Sequence, residues 1–205
     1  MAKGSDSIGD IAMKRGELSG LHRWSRREYG QMIDHGLLDE DDPIELLDGL
    51  LLVKGPQHSP HRTAVLLVAK ALEGAFGGGW FVQTQSPIIL DDRSEPEPDA
   101  CVVRGSPRDY TGAHPTRPAL VVEVAQSRLR LARGRKAAAY ARAGIADYWI
   151  LNLDGRVLEV YREPTGPDPT RSHWRYSAIE TLGVQSTVTP LAAPAAIIRV
   201  ADLLP

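Results

Sequence analysis

The 205-residue sequence contains one cysteine, Cys101, and so has no second cysteine for an internal disulfide. A chain without disulfides suits a reducing compartment, and we expect a cytoplasmic protein. No apolar run approaches the roughly 20 residues that a membrane-spanning helix needs. The N-terminal stretch MAKGSDSIGDIAMKRGELSG also has no apolar core of a signal peptide. We therefore expect neither a disulfide scaffold nor a membrane protein.

A strong excess of charge of either sign is also missing. The chain carries 24 Lys and Arg against 26 Asp and Glu, which gives a net charge of -2. It is therefore no general polycation, and any nucleic-acid binding must come from a local basic patch. Apolar residues make up 42% and charged residues 24%, which is ordinary for a globular protein. We expect a flexible tail over residues 1–20 and a single domain over residues 21–205.

Two kinds of local signal predict the helices and hairpins. Ser25 and Glu28 form a capping-box pattern at the start of a short helix that should stop near Gly36. A longer helix is predicted over SPHRTAVLLVAKALEGAF, residues 59–76, and another from about Leu129 to Ala143. Asp-Gly pairs lie between apolar runs in IELLDGLLLV (44–53) and DYWILNLDGRVLEVYR (147–162), which indicates two β-hairpins.

Three further segments predict strands: WFVQTQSPIIL (80–90), DACVVR (99–104) and ALVVEVA (119–125). The segment from Pro164 to Arg171 is a predicted Pro/Gly loop, and a last turn is expected at residues 200–204. The sequence shows no internal repeat. This order of elements predicts an α/β or α+β fold with a mixed, antiparallel-rich sheet.

Glu123 interrupts a strand that is otherwise built for burial on both faces. Its neighbours Leu120, Val121, Val122 and Val124 are apolar. An ionised carboxylate is costly to bury without a partner, so Glu123 is a candidate functional residue. The alternative is an acid at a sheet edge whose carboxylate reaches water.

Two other ionisable residues stand in unusual places. Asp99 follows Pro96 and Pro98 and opens a short apolar strand, although acids near prolines are commonly turn residues. Lys136 lies on the apolar stripe of its predicted helix, while the neighbouring arginines lie mostly off it. A lysine at such a position requires an acidic neighbour, unless its side chain extends along the apolar surface to solvent.

Together, two carboxylates and an ammonium suit phosphodiester hydrolysis. Carboxylates at adjacent strand ends bind a hard divalent ion such as Mg²⁺, which polarises a phosphoryl oxygen and activates water. A nearby ammonium stabilises the negative charge that develops on the phosphorus group. The arginine-rich stretch beside Lys136 offers contacts to a phosphate backbone, although a solvated surface is the default reading of such arginines. These residues are Arg128, Arg130, Arg133 and Arg135.

The order of these motifs resembles the Uma2 family of endonucleases, formerly a domain of unknown function. The resemblance rests on the pair PD (98–99), the strand LVVEV (120–124), the helix with Lys136, and YARAGIADYWIL (140–151). It extends over roughly residues 24 to 204, with IELLDGLLL (44–52) similar to the opening hairpin. The family belongs to the PD-(D/E)xK restriction-endonuclease-like superfamily, which implies a central mixed β-sheet flanked by helices.

The resemblance also implies roles for single residues. Asp99 and Glu123 match the two metal-binding acids, and Lys136 matches a catalytic lysine displaced onto the helix, since position 125 is alanine. Glu45 matches an acid of the hairpin, and His61 matches a histidine at the start of the next helix. From the residues alone, Glu45 is equally an edge-strand acid, and His61 is more often a core histidine. The implied cofactor is Mg²⁺, with Mn²⁺ as a substitute.

The chain departs from the family pattern at Ala132, where members often carry an aspartate one turn before the lysine. The leading hypothesis is a metal-dependent endonuclease that acts on DNA. The alternative is a weak or inactive nucleic-acid- or protein-binding module on the same fold. Cleaving both strands of a duplex is simplest with two symmetric sites, so we also expect a homodimer.

Overall fold

The computed structural model describes residues 20–39, 41–167 and 173–205. The helices are α1 Arg26–Asp34, α2 Ser59–Phe76, α3 Leu129–Leu131 and α4 Ala137–Arg142, with a π-helical turn at Ala132–Lys136 between the last two. The strands are β1 Ile44–Leu47, β2 Leu50–Val53, β3 Trp80–Thr84, β4 Ala100–Arg104, β5 Leu120–Ala125, β6 Asp147–Asn152, β7 Val157–Thr165, β8 Arg175–Gly183, β9 Thr187–Val188 and β10 Ile198–Arg199. Short 3-10 turns lie at Pro107–Tyr110 and Val200–Leu203.

A six-stranded mixed sheet in the order β3-β4-β5-β6-β7-β8 forms the centre of the fold. Only β5 and β6 pair in parallel, and every other neighbouring pair is antiparallel. Parallel neighbours need a crossover connection, which the helical segment 129–142 supplies here. The fold predicted from the sequence, a mixed sheet with helices, is confirmed.

The two faces of the sheet bury different residues. On one face α2 packs its apolar stripe, which includes Val65, Val68 and Leu72, against Val122 and other strand residues. On the opposite face a cluster of small and aromatic residues surrounds the strands under α4. This cluster contains Cys101, Val121, Ala125, Ala132, Tyr140 and Tyr148, among others. Because side chains alternate along a strand, Glu123 shares the face of Val121 and Ala125.

Local signals at the first two elements are confirmed. Ser25 accepts a hydrogen bond from the backbone N–H of Glu28, and the Glu28 side chain accepts from Ser25, which completes the capping box of α1. The Asp-Gly pair 48–49 forms the β1–β2 turn with both residues at positive φ, 51° and 73°. A primed hairpin turn requires this backbone conformation, which explains the pair. The predicted tail, residues 1–20, lies outside the described residues except for residue 20.

Two predictions about local structure were wrong. The strand predicted over residues 80–90 ends at Thr84, because Gln85 has a φ of 47° and leaves the extended conformation. The loop predicted from Pro164 starts later, since Pro164 and Thr165 still pair with β8, and residues 168–172 of it lie outside the described residues. The helix predicted from about Leu129 to Ala143 is confirmed over residues 129–142, with the π turn in its middle.

No helix in the part of the chain that the structure describes is both long enough and apolar enough to cross a membrane.

Candidate active site

The register between β4 and β5 brings the two acids of the motif to one place. Ala100 lies opposite Val122 and Cys101 opposite Val121 in this antiparallel pair. Asp99 directly precedes β4, so it lies at the end of this ladder where Glu123 follows Val122 on β5. The Asp99 carboxylate is close enough to raise the pKa of Glu123.

Asp99 is held by the strand across from it and by α2. Its Oδ2 accepts a hydrogen bond from the backbone N–H of Val124 at 2.7 Å. Its Oδ1 lies 3.3 Å from Nε2 of His61, at the start of α2. The hydrogen bond to Asp99 is the largest cause that raises the pKa of His61, against the lowering effect of burial. The other ring nitrogen, Nδ1, is buried without a hydrogen-bond partner among the described residues.

Lys136 reaches Glu123 from the helical segment above the sheet. Its ammonium donates to both carboxylate oxygens, at 2.9 Å to Oε1 and 3.1 Å to Oε2. Nζ also lies 3.1 Å from Oε2 of Glu45, on β1. Glu45 is not an exposed edge-strand acid, because its exposed fraction is only 2%. The β1–β2 hairpin packs over the site and buries that carboxylate against the ammonium.

Three carboxylates therefore surround one ammonium, and their electrostatics reflect it. Burial raises the pKa of Glu123 to about 7, and the Asp99 and Glu45 carboxylates act in the same direction against the attraction of Lys136. Burial alone would lower the pKa of Lys136, but the Glu123 and Glu45 carboxylates outweigh it and raise that pKa. Lys136 is therefore a cation at neutral pH, in a pocket with an excess of negative charge.

Tyr140 is a site residue that the sequence analysis did not identify. Its hydroxyl donates to Oε1 of Glu123 at 2.7 Å, and the whole side chain is buried. Its position four residues after Lys136, on the same face of the helical segment, was the available signal. Tyr140 and Lys136 together fix the orientation of the Glu123 carboxylate.

Replacing Tyr140 by phenylalanine should lower the free energy of unfolding by about 1.5–3 kcal/mol, the range for hydrogen bonds to charged groups. The ring still fills its place, so the loss reports the hydroxyl alone. Denaturant unfolding of Tyr140→Phe measures it. Tyr110→Phe is the control, because its hydroxyl donates to the carbonyl of Arg104 near the surface and should matter less. Equal small losses in both variants would show that Tyr140 does not hold Glu123.

A second layer of contacts ties the hairpin to the site. The backbone N–H of Glu97 donates to Oε2 of Glu45 at 3.0 Å. The Glu97 carboxylate in turn forms an ion pair with Lys54, just after β2. Neither Glu97 nor Lys54 carried a sequence signal of its own. These contacts hold the same Glu45 oxygen that Lys136 contacts.

The π-helical turn contains Lys136 itself. A π turn inserts an extra residue into the helical ladder, and such turns occur frequently at functional sites. Ala132, where the family often has an aspartate, is 4% exposed and packs in the apolar cluster. Its carbonyl accepts a hydrogen bond from the hydroxyl of Tyr148 at 3.0 Å. The helical segment therefore offers Lys136, and no acid, to Glu123.

The four arginines predicted to contact nucleic acid have different surroundings. Arg128 is exposed and donates to the carbonyl of Val53 at 2.6 Å. Arg133 forms a two-pronged ion pair with Glu159, with Nε at 2.9 Å from Oε2. Arg130 and Arg135 have no side-chain partner among the residues that the structure describes. The assignment of all four to nucleic-acid contact remains a prediction.

The donor set decides which cation fits this site. Within residues 20–39, 41–167 and 173–205, no three His, Cys, Asp or Glu side chains form a metal-binding group. The adjacent Asp99 and Glu123 carboxylates nevertheless suit Mg²⁺, which keeps several waters and commonly takes only one or two carboxylates from a protein. A tightly coordinated Zn²⁺ would require more protein ligands. The chemistry of the site therefore fits a hydrated Mg²⁺ or Mn²⁺ ion.

Comparisons with known proteins show the fold and the family of this chain. The crystal structure of a nuclease of the DUF820 group from Anabaena variabilis, described as putative, superposes with a TM-score of 0.64. The sequences are 16% identical, and the match covers 83% of this chain and 96% of that one, so this likeness establishes the fold. A search of the curated proteins finds no match. Residues 26–200 match the Uma2 family, whose description reads "Putative restriction endonuclease". The chain therefore belongs to the Uma2 family, and family and fold together support a nuclease function in general.

Proposed function

We propose that this protein is a metal-dependent endonuclease that hydrolyses phosphodiester bonds in DNA. The observation that carries the proposal is the position of Asp99, whose Oδ2 accepts a hydrogen bond from the residue after Glu123, with the Lys136 ammonium 2.9 Å from Glu123. Two adjacent acids and one amine are what hydrolysis of a phosphodiester requires from the protein. The family membership of the chain supports the same reaction class.

Each residue of the cluster has a distinct task in this proposal. Asp99 and Glu123 would hold Mg²⁺, or Mn²⁺ in its place, and the ion supplies Lewis-acid chemistry to the scissile phosphate. Lys136 stabilises the negative charge that develops on the phosphoryl oxygens. Glu45 and Tyr140 are positioning residues, because they hold Lys136 and Glu123. His61 supports Asp99 through its Nε2.

The excess of negative charge around Lys136 supports a bound cation. Three carboxylates, those of Asp99, Glu123 and Glu45, share one ammonium. A divalent ion between Asp99 and Glu123 would offset this excess and keep Glu123 ionised near neutral pH. The single protonatable neighbour, His61, supplies at most one further positive charge.

A direct experiment is to incubate the purified full chain with supercoiled plasmid DNA and Mg²⁺ or Mn²⁺. Nicked and linear products that disappear with a chelator are the expected result. Calorimetric titration with Mn²⁺ should give a binding heat with one ion per chain. A folded protein that neither binds the ion nor cleaves plasmid would overturn the proposal. Parallel digestion of RNA decides whether DNA is the preferred substrate.

The alternative is a binding module with little or no activity. Two observations favour this alternative. The Lys136 ammonium donates to both carboxylate oxygens of Glu123, and position 132 is an alanine. In that case Glu123 serves only as the structural partner of Lys136. The two hypotheses differ in the calorimetric result, because a binding module has no need of an ion at Asp99 and Glu123.

We further propose a homodimer in solution. An enzyme that cuts both strands of a duplex gains from two sites related by a two-fold axis, and such dimers are the commonest oligomers. Light scattering coupled to size-exclusion chromatography should give roughly twice the 22.4 kDa mass of one chain. A single-chain mass throughout the working concentration range would contradict it.

A further inference from the structure

A cavity of about 530 Å³ lies beside the acid site, between the helical segment 133–138 and strands β7 and β8. Pockets for small molecules commonly measure roughly 300–1,000 Å³, so the cavity has room for one nucleotide unit. The proposed reaction does not use it, since none of Asp99, Glu123 and Lys136 lines its wall. The question is which ligand its residues would recognise.

The charges of the lining residues favour an anion. Three arginines line the cavity, Arg133, Arg135 and Arg175, together with a single acid, Asp48. Asp48 is already paired, since its Oδ1 lies 2.8 Å from a guanidinium nitrogen of Arg142. Arg133 is engaged by Glu159. Arg175 donates to the carbonyl of Gly166 at 3.4 Å. Arg135, which has no side-chain partner among the described residues, is therefore available to a bound phosphate.

The aromatic residues of the wall are held in fixed positions. The Tyr161 hydroxyl donates to Glu159 at 3.0 Å, and the Tyr176 hydroxyl donates to the carbonyl of Ile145 at 2.8 Å. Trp174 is partly buried and packs against the aromatic cluster. A Cβ at Gly166 would approach its ring at 3.3 Å, so the backbone there supports the indole closely. A rigid aromatic surface next to an arginine is how proteins bind unpaired bases.

The sheet register sets the distance between this cavity and the acid site. Glu123 pairs with Ile150 in the β5–β6 ladder, and Ile150 pairs with Glu159 in the β6–β7 ladder. Glu159, which holds the cavity residue Arg133, is thus two strands from Glu123 on the same face. Two strand spacings amount to roughly 10 Å. The cavity and the scissile position would therefore contact neighbouring parts of one nucleic-acid strand.

From these contacts we infer that the cavity binds one unpaired nucleotide of the substrate strand. The base stacks on Trp174 and the phosphate contacts Arg135. That the bound nucleotide belongs to a nucleic-acid strand rests on the proposed nuclease function. That the cavity binds an anionic nucleotide rests only on the residues that line it. The consequence is a preference for single-stranded or locally unpaired DNA over a perfect duplex.

Binding of a short fluorescent single-stranded oligonucleotide, measured by anisotropy in EDTA so that no cleavage occurs, tests the inference. Trp174→Leu should weaken binding roughly ten- to one-hundredfold, the effect of removing one base–aromatic stack. Trp174→Phe, which keeps a stacking ring, should retain most of the affinity. Arg135→Ala should weaken binding and also reduce the slope of log affinity against log salt by roughly 0.7, because one phosphate contact is lost. Trp174→Leu should leave that slope unchanged.

Arg117→Ala is the matched control, because Arg117 is exposed and does not line the cavity. Equal binding by wild type, Trp174→Leu and Arg135→Ala, all folded by circular dichroism, would overturn the inference. Binding of a nucleoside monophosphate that depends on Trp174, with strand binding that does not, would overturn the assignment to a strand. Strand binding that depends on Trp174 in a protein without cleavage would refute the nuclease function and leave the nucleotide site standing.

Discussion

Replacing Lys136 by alanine should destabilise the protein by about 3–5 kcal/mol at mildly alkaline pH as well as abolish cleavage. The side chain is 6% exposed and contacts two buried carboxylates, those of Glu123 and Glu45. Removing one partner of a buried ion pair leaves the other charge uncompensated, and losses of this size are typical. Alanine suits a helix interior, so this cost reports the lost ion pairs and not the helix propensity.

The destabilisation should depend on pH in a defined direction. The pKa of Glu123 is raised by burial from 4.5 to about 7 with Lys136 present, and it must rise further without the ammonium. A raised carboxyl pKa means that the folded state favours the protonated carboxyl. The contribution of protonated Glu123 to the free energy of unfolding is therefore present in full below pH 4.5 and is lost as pH rises. The Glu123 part of the difference in stability between wild type and Lys136→Ala should therefore be the same from pH 4.5 to about 7, where both folded proteins hold the carboxyl protonated, and should grow as pH rises above 7.

Denaturant unfolding of both proteins across this pH range measures the effect. Lys70→Ala is the matched control, because Lys70 is exposed on α2 and should change stability by less than about 0.5 kcal/mol at any pH. Cleavage is then assayed at a temperature at which the variant remains folded. Unchanged cleavage by folded Lys136→Ala would refute the catalytic assignment. A stability difference independent of pH would refute the buried acid pair as its cause.

Glu123→Gln should remove metal binding and reduce cleavage by more than about a hundredfold. Even the partners that merely orient metal ligands commonly change affinity or activity by roughly 10- to 100-fold, and Glu123 is proposed as a ligand itself. Glutamine keeps the size of the side chain but cannot supply the negative charge. Lys136 retains its contact with Glu45 in this variant. The loss of stability should therefore be smaller than in Lys136→Ala.

Calorimetry with Mn²⁺ and plasmid cleavage measure these two losses, and thermal melts rank the variants by stability. Asp99→Asn should give the same loss of metal binding, because Asp99 is the second proposed ligand and its carboxylate lies close to Glu123. Glu73→Gln, an exposed acid on α2, should behave as wild type in every assay. Normal metal binding by Glu123→Gln would place the ion elsewhere and leave Glu123 with a structural role only.

Local patterns in the sequence were sufficient for most of the fold. The capping box at Ser25 and the Asp-Gly turn at 48–49 depend on interactions among a few neighbouring residues, so the sequence is sufficient to predict both. The apolar stripe of α2, with Val65, Val68 and Leu72, was equally readable. The end of β3 at Thr84 was not, because Gln85 adopts a positive φ that its residue type does not demand.

The residues of the candidate site also fall into two groups, those that a local pattern indicates and those that only the packing shows. The sequence indicates three site residues because each is a charged residue within an apolar strand or on an apolar helical face: Asp99, Glu123 and Lys136. Such a pattern is visible in the few residues on either side. The contacts of Glu45 and Tyr140 were not readable, since both depend on how the hairpin and helical segment pack on the sheet. A pattern of spacing fixes the face on which a residue lies, but not the partner that meets it.

By itself, then, the sequence determined the mixed sheet, the order of its motifs and the presence of three ionisable residues within apolar segments. Only the tertiary structure decided that Glu45 is buried against Lys136, that Tyr140 holds Glu123, and that Arg135 and Trp174 line one cavity. The physical reason is the range of the interactions. Backbone propensity and side-chain periodicity act over one or two helical turns, whereas electrostatic pairs and cavities form between segments that are distant in the chain and meet only on folding.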